Sequence, residues 1–155
     1  MEQRQELNIL GLSGVIPFAF GAACICASPF VVSVEIADWA YKVTLVYGAI
    51  IASYMSGMGA GAIVGGNSRR AALLPGMIAA LIAWVAAWPD MPFIGFTPSL
   101  RYVALSLVLI YLLIRDNKAI DAGDFPGWYR PLRWRLTVLA CTSLLIAAAR
   151  MSLSS

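Results

Sequence analysis

The chain has 155 residues, of which 61% are hydrophobic and only 12% are charged, and its mean hydropathy is +0.80. Because soluble domains carry roughly 25% charged residues, this composition excludes an ordinary water-soluble protein. At about 20 residues per bilayer crossing, the length allows about five crossings and no second domain. The net charge of +3 is too small and too dispersed for nucleic-acid binding, and the absence of histidine excludes most catalytic and metal-binding chemistry.

The first apolar run predicts a helix over residues 9–33. Its charged start contains Glu2 and Glu6 besides Arg4, and the run is longer than the apolar region of a signal peptide. We therefore expect a retained transmembrane helix rather than a cleaved leader. Pro17 lies inside this segment and should kink the helix or free a backbone carbonyl.

Four further apolar segments follow, so the sequence predicts an all-α integral membrane protein, a bundle of five transmembrane helices in one domain over residues 1–155. The second and third helices are separated by a very short turn, and we expect them to form an antiparallel hairpin. Arg101, near the start of the fourth helix, should extend its charge to the membrane interface. The four predicted helices cover residues 43–64, 71–88, 99–114 and 136–153.

The distribution of basic residues predicts the orientation. Eight of the eleven Lys and Arg residues fall on the side that holds the N-terminus, and three fall on the other side. Since cytoplasmic loops are enriched in Lys and Arg, we expect the N-terminus inside and the C-terminus outside.

Small residues recur every four positions along the second helix, at Ser53, Gly57, Gly61 and Gly65. A matching stripe on the third helix consists of Ala72, Gly76 and Ala80. Stripes of this kind let helix backbones approach closely in lipid. The sequence leaves two interpretations open, a docking face for a partner protein and packing between helices of the same chain.

Ionisable residues are absent from the predicted hydrocarbon zone, and Glu35, Asp38 and Lys42 come closest to it. Asp38 and Lys42 are spaced i, i+4 and can pair on a solvated turn. An ion pathway would need an acid or base at mid-depth. The three cysteines, Cys24, Cys26 and Cys141, lie in apolar runs and are expected to pack as small hydrophobic residues.

Residues 116–135 are predicted to form an amphipathic loop at the membrane interface. Aromatic and cationic side chains alternate in its second half, a mixture that suits the lipid headgroup region. An acidic surface of a partner protein is the alternative contact for this basic patch. The predicted headgroup residues are Trp128, Tyr129, Arg130, Arg133, Trp134 and Arg135.

Three segments, residues 10–18, 47–54 and 128–133, together resemble a small bacterial membrane family of unknown function that is related to mitochondrial transmembrane protein sixty-nine. In that family the second helix continues into a turn with a His-Trp pair, whereas this chain reads Gly57-Met58-Gly59-Ala60-Gly61 at the matching place. The resemblance implies a five-helix inner-membrane protein of bacteria and supplies no reaction.

The expected function is that of a non-enzymatic accessory, structural or assembly subunit of a larger membrane complex, for example an energy-transducing one. The expected partners are membrane lipids and other transmembrane subunits, and no catalytic residue, cofactor site or metal site is predicted. The first alternative is a small carrier or channel, which Pro17 and the glycines of the second helix favour and the missing mid-membrane charges oppose. The second alternative is a membrane enzyme, in which tyrosine, lysine or interfacial carboxylates would have to perform general acid–base catalysis.

Overall fold

The computed structural model describes residues 2–62, 73–88 and 95–153. In these residues all regular structure is helical, and no strand is present. The helices are α1 (Glu2–Ser13), α2 (Ile16–Ala27), α3 (Val34–Ala62), α4 (Leu73–Ala87), α5 (Pro98–Asp121) and α6 (Tyr129–Leu153).

The first predicted helix is interrupted between α1 and α2, just before Pro17. Proline has no backbone N–H, and the next residue, Phe18, donates its N–H to the carbonyl of Val15 at 3.1 Å. The carbonyl of Gly14 is thereby released from the helical pattern and accepts a hydrogen bond from the Tyr47 hydroxyl at 2.8 Å. The expectation that Pro17 disturbs this helix is confirmed, and the freed carbonyl ties the break to α3.

Within the described residues, four helical stretches are long and apolar enough to cross a membrane: Gln5–Ala27, Val34–Gly61, Pro98–Asp121 and Tyr129–Leu153. The helix α4 is apolar but shorter, with 15 residues. Large apolar side chains such as Phe20, Ile50, Leu81 and Leu107 point away from the bundle. Exposed apolar surface on this scale is unfavourable in water but matches lipid, so the chain has the architecture of a multi-pass membrane protein.

The helix α5 lies at the centre of the packing and contacts α3, α4 and α6, while α2 packs against α3 and α6. Tyr102 and Leu105 of α5 are fully buried and form the core together with Phe18. The Tyr102 hydroxyl donates to the backbone carbonyl of Tyr41 at 3.3 Å, which satisfies its polar atom inside an otherwise apolar core.

Several predicted boundaries are wrong. The helix α3 begins at Val34, nine residues before the predicted start, and the exposed Asp38–Lys42 pair, 2.8 Å apart, lies in its first turns. The predicted interfacial loop is also mostly helical, because α5 continues to Asp121 and α6 begins at Tyr129. Charged residues mark the end of an apolar segment but do not stop helical hydrogen bonding, so the helices predicted from hydropathy alone were too short at these boundaries. The helices α3 and α4 contact each other as expected for a hairpin, and the predicted turn between them lies outside the described residues.

The side chain of Arg101 turns into the end of the bundle instead of lying exposed on its surface. Its side chain is buried, with 3% of the residue exposed, and Nη1 donates to the carbonyls of Ala86, at 3.3 Å, and Trp88. The last carbonyls of a helix have no partner within it, so the guanidinium of Arg101 caps the end of α4. Arg150 acts similarly at the same end of the bundle, donating to the carbonyl of Ser28 at 2.8 Å.

Candidate functional site

The turn between α5 and α6 determines which charged residues meet. Gly123 has φ +85°, its N–H bonds the carbonyl of Ile120, and the N–H of Asp124 bonds the carbonyl of Ala119 at 2.9 Å. This pattern is a Schellman motif, in which glycine accommodates the left-handed conformation without steric cost. The motif ends α5 sharply and lets α6 return antiparallel to it.

Two ion pairs join α5 to α6. Near the turn, Arg130 pairs with Asp121, and both side chains are largely exposed. Deeper in the bundle, Nε of Arg133 donates to Oδ2 of Asp116 at 2.5 Å, and these side chains are only 5% and 9% exposed. A buried pair of this kind is costly to disrupt, since losing one partner leaves an uncompensated charge.

The predicted headgroup contacts of Tyr129 and Arg133 are wrong. Both residues are buried, whereas Trp134 and Arg135 are exposed as a headgroup contact requires, and Trp128 and Arg130 are intermediate. The reason is the helical period: once α6 begins at Tyr129, residues 129, 133 and 137 share one face and turn inward together. The sequence prediction treated this segment as a loop and therefore assigned all six residues to the surface.

Arg133 retains one unused donor. Its Nη2 atom is buried and has no hydrogen-bond partner among the residues that the structure describes. The nearby Tyr129 hydroxyl lies 4.0 Å from Sδ of Met58 in a weak contact. The buried guanidinium is therefore only partly satisfied by the described residues around it.

A cavity of about 250 Å³ adjoins Arg133. Its walls come from α1, α2, α3, α5 and α6 and are almost entirely apolar. Leu10 and Tyr54, which line the cavity, are 68% and 61% exposed, so the space is open at the side of the bundle where α1 and α3 carry these residues. Besides these two residues and Arg133, the lining includes Gly11, Phe18, Met55, Tyr129 and Thr137.

Arg115, the residue before Asp116, lies on the side of α5 that faces α4. A Cβ atom added to Gly76 would overlap Nη1 of Arg115 and would lie 2.8 Å from Oγ of Ser56. Gly76 therefore makes room for a guanidinium at the contact between α3, α4 and α5. Of the predicted stripe on the third helix, Gly76 is buried, Ala80 is partly buried and Ala72 lies outside the described residues.

The stripe predicted on the second helix does not contact the rest of the described chain. Ser53, Gly57 and Gly61 are exposed, and a Cβ atom added at either glycine meets nothing within 4 Å. The residue of α3 that faces Gly76 is Ser56, one position before Gly57. Gly65, the last member of the stripe, lies outside the described residues. Packing among the described residues thus leaves the small-residue face of α3, defined here as Ser53, Gly57 and Gly61, open.

Of the three cysteines, which were expected to pack as small hydrophobic residues, two lie inside the bundle. Cys24 and Cys141 are buried, Cys26 is exposed, and all three thiols are free. Within the described ranges, no three Cys, Asp or Glu residues converge as a metal site would require.

The sequence analysis missed the buried ion pair because Asp116 and Arg133 were assigned to an interfacial loop. One signal was present: Tyr129, Arg133 and Thr137 follow one another at intervals of four, the spacing of a single helical face. The pairing of Asp116 with Arg133 also depends on how α5 and α6 align across the Gly123 turn. Hydropathy gives no information about this alignment.

A comparison with protein families gives one match. The family model described as "Protein of unknown function (DUF3429)" matches residues 3–149, nearly the whole chain. Neither the curated proteins nor the solved structures contain a significant match to the sequence.

Proposed function

The chain belongs to this family of unknown function, and from its surface we propose that it is a non-enzymatic accessory or assembly subunit of a larger membrane complex. In this proposal the small-residue face of α3 docks against a transmembrane helix of another subunit. The observation that carries the proposal is that this face lies on the outside of the bundle with no other described part of the chain against it.

The outward side of α3 changes character along its length. Its first half presents large side chains, including Val43, Val46 and Ile50, whereas beyond Ile50 the exposed residues are Tyr54 and the small residues Ser53, Gly57 and Gly61. Lipid tails are as apolar as leucine, so contact with lipid gives no reason for a run of small residues. Close approach of another helix backbone does explain such a run, because van der Waals contact and interhelical hydrogen bonds drive helix association within the membrane.

The chemistry of the chain also favours a non-enzymatic role. Histidine is absent, and the buried acid and base, Asp116 and Arg133, engage each other. General acid–base catalysis needs a group that can exchange a proton with a substrate, and a carboxylate held by a guanidinium is poorly suited to this task.

The experiment is native electrophoresis after gentle detergent extraction from membranes that express the chain. We expect it to migrate with a large complex, and Gly57→Leu should release it because the new side chain occupies the docking face. The matched control is Ala23→Leu, the same kind of enlargement at an exposed position of α2. Since an added Cβ at Gly57 meets nothing within 4 Å, the variant should fold normally. Migration alone, or equal behaviour of the two variants, contradicts the proposal.

The proposal also places the chain in the bacterial cytoplasmic membrane with its N-terminus inside, and it includes the relation to mitochondrial transmembrane protein sixty-nine. The end of the bundle that carries Lys118, Arg130 and Arg135 would face the cytoplasm, as the positive-inside rule requires. Reporter fusions at the two termini test this: a C-terminal reporter that is active only in the cytoplasm should be silent. Activity of that reporter would reverse the orientation or change the number of crossings.

A further inference from the structure

We propose that the cavity beside Arg133 binds a single acyl chain that ends in a carboxylate, that is, a fatty acid. This site is separate from the small-residue face of α3 and does not depend on the docking proposal. Three observations carry it: the apolar walls of the cavity, its sideways opening and the unused donor of Arg133.

The cavity has the size and polarity for an acyl chain. An apolar cavity of roughly 150 Å³ holds benzene, which implies about 25 Å³ per carbon. The volume of about 250 Å³ therefore accommodates about ten carbons. Leucine, valine, phenylalanine and methionine side chains dominate the lining, and such walls favour a hydrocarbon over water.

The route of entry also favours a membrane amphiphile. The opening lies at Leu10 of α1 and Tyr54 of α3, and both side chains are largely exposed on the side of the bundle. In a membrane protein this direction leads to the lipid phase, in which fatty acids dissolve. A strongly hydrated metabolite would have to leave water to reach the same opening.

The polar end of the occupant is set by the charges around the cavity. Asp116 uses Nε of Arg133, and the buried Nη2 has no acceptor within the described part of the chain. An unpaired buried donor costs about 1–3 kcal/mol, and Arg133 is the charged residue among those that line the cavity. Among the described residues that line the cavity none is acidic, so no carboxylate of the lining would repel a bound anion. A carboxylate bound in the cavity beside Arg133 would accept the hydrogen bonds that Nη2 leaves unused.

The test uses the full chain in phosphatidylcholine nanodiscs with decanoate as the probe. A decanoate that carries a photoreactive diazirine near its methyl end should label residues that line the cavity. Unmodified decanoate should compete about tenfold better than decanol, the difference expected for one hydrogen bond between charged groups. Equal competition by decanol, or labelling confined to the outer surface, overturns the proposal. Stronger competition by lysophosphatidylcholine than by decanoate also overturns it, since the ligand would then be a phospholipid.

Two variants locate the effect. Leu10→Trp narrows the opening at an exposed position and should reduce labelling severalfold, whereas Leu12→Trp, on the same helix but outside the lining, should not. Replacing the ion pair as a unit, with Asp116→Leu and Arg133→Met together, should remove the preference for decanoate over decanol while the chain stays folded. An unchanged preference in this folded double variant would exclude Arg133 as the recognition group.

Discussion

The buried ion pair between α5 and α6 makes the clearest quantitative prediction. Asp116→Leu or Arg133→Met alone leaves one charge without its partner among side chains that are 5% and 9% exposed. Two unit charges about 4 Å apart attract each other by about 4 kcal/mol at an effective dielectric constant of about 20. Measured losses for a broken buried pair are similar, about 3–5 kcal/mol. We expect each single variant to lose this much free energy of unfolding.

The double variant should recover most of that loss, because an apolar pair of similar volume avoids the desolvation cost of the charges. The assay is equilibrium unfolding in mixed detergent micelles, followed by the far-ultraviolet circular dichroism of the helices. Asp121→Leu and Arg130→Met, at the exposed pair near the turn, provide the control cycle and should each cost less than about 1 kcal/mol. Additive losses in the buried cycle, or equal losses in the two cycles, would refute the assignment of Asp116 and Arg133 as a coupled buried pair.

Three further predictions concern the helix contacts. Gly48→Ala should lower the free energy of unfolding by about 1–3 kcal/mol, because the added Cβ overlaps the fully buried Leu105. Gly57→Ala should be neutral or stabilising in the same assay, since alanine favours a helix by up to about 1 kcal/mol over glycine. Equal losses in the two variants would contradict the packing described. Tyr47→Phe should cost about 0.5–1.5 kcal/mol through its hydrogen bond to the α1–α2 break, and an unchanged unfolding curve would show that this bond does not support the fold. Arg101→Met should cost about 1–3 kcal/mol by exposing the end of α4, with proteolysis near that end rising accordingly; resistance equal to that of the unmodified protein would exclude the capping role.

The helical nature of the apolar segments follows from hydropathy, because an apolar run of sufficient length has few alternatives to a helix in lipid. The position of Pro17 also predicts a local break, since the missing N–H is a property of the residue itself. The ends of α3 and α5 were not predictable in the same way. Residues such as Asp38 and Asp116 end an apolar run, but they continue the helix and find partners beside it.

The orientation of each helix about its own axis was harder to predict. A stripe of small residues fits equally well against another helix of the chain or on the outside, and the sequence could not distinguish Ser56, which faces Gly76, from Gly57, which is exposed. The same difficulty applies to the candidate site. Arg133 is distinguished from Arg135 only by the face of α6 on which it lies, and that face is known only once the start of the helix is known.

The arginines that close the far end of the bundle differ in kind from the Asp116–Arg133 pair. Arg101 and Arg150 donate to main-chain carbonyls, those of Ala86, Trp88 and Ser28 among them, and every amino acid carries such a carbonyl. Mutations at the acceptor positions can therefore accumulate without weakening these bonds, provided that the backbone keeps its path. Replacement of either donor by lysine is less tolerable, because a compact ammonium lacks the planar array of N–H groups. Sequence variation at this end of the molecule should therefore be confined to the residues whose carbonyls accept these bonds, while Arg101 and Arg150 stay invariant.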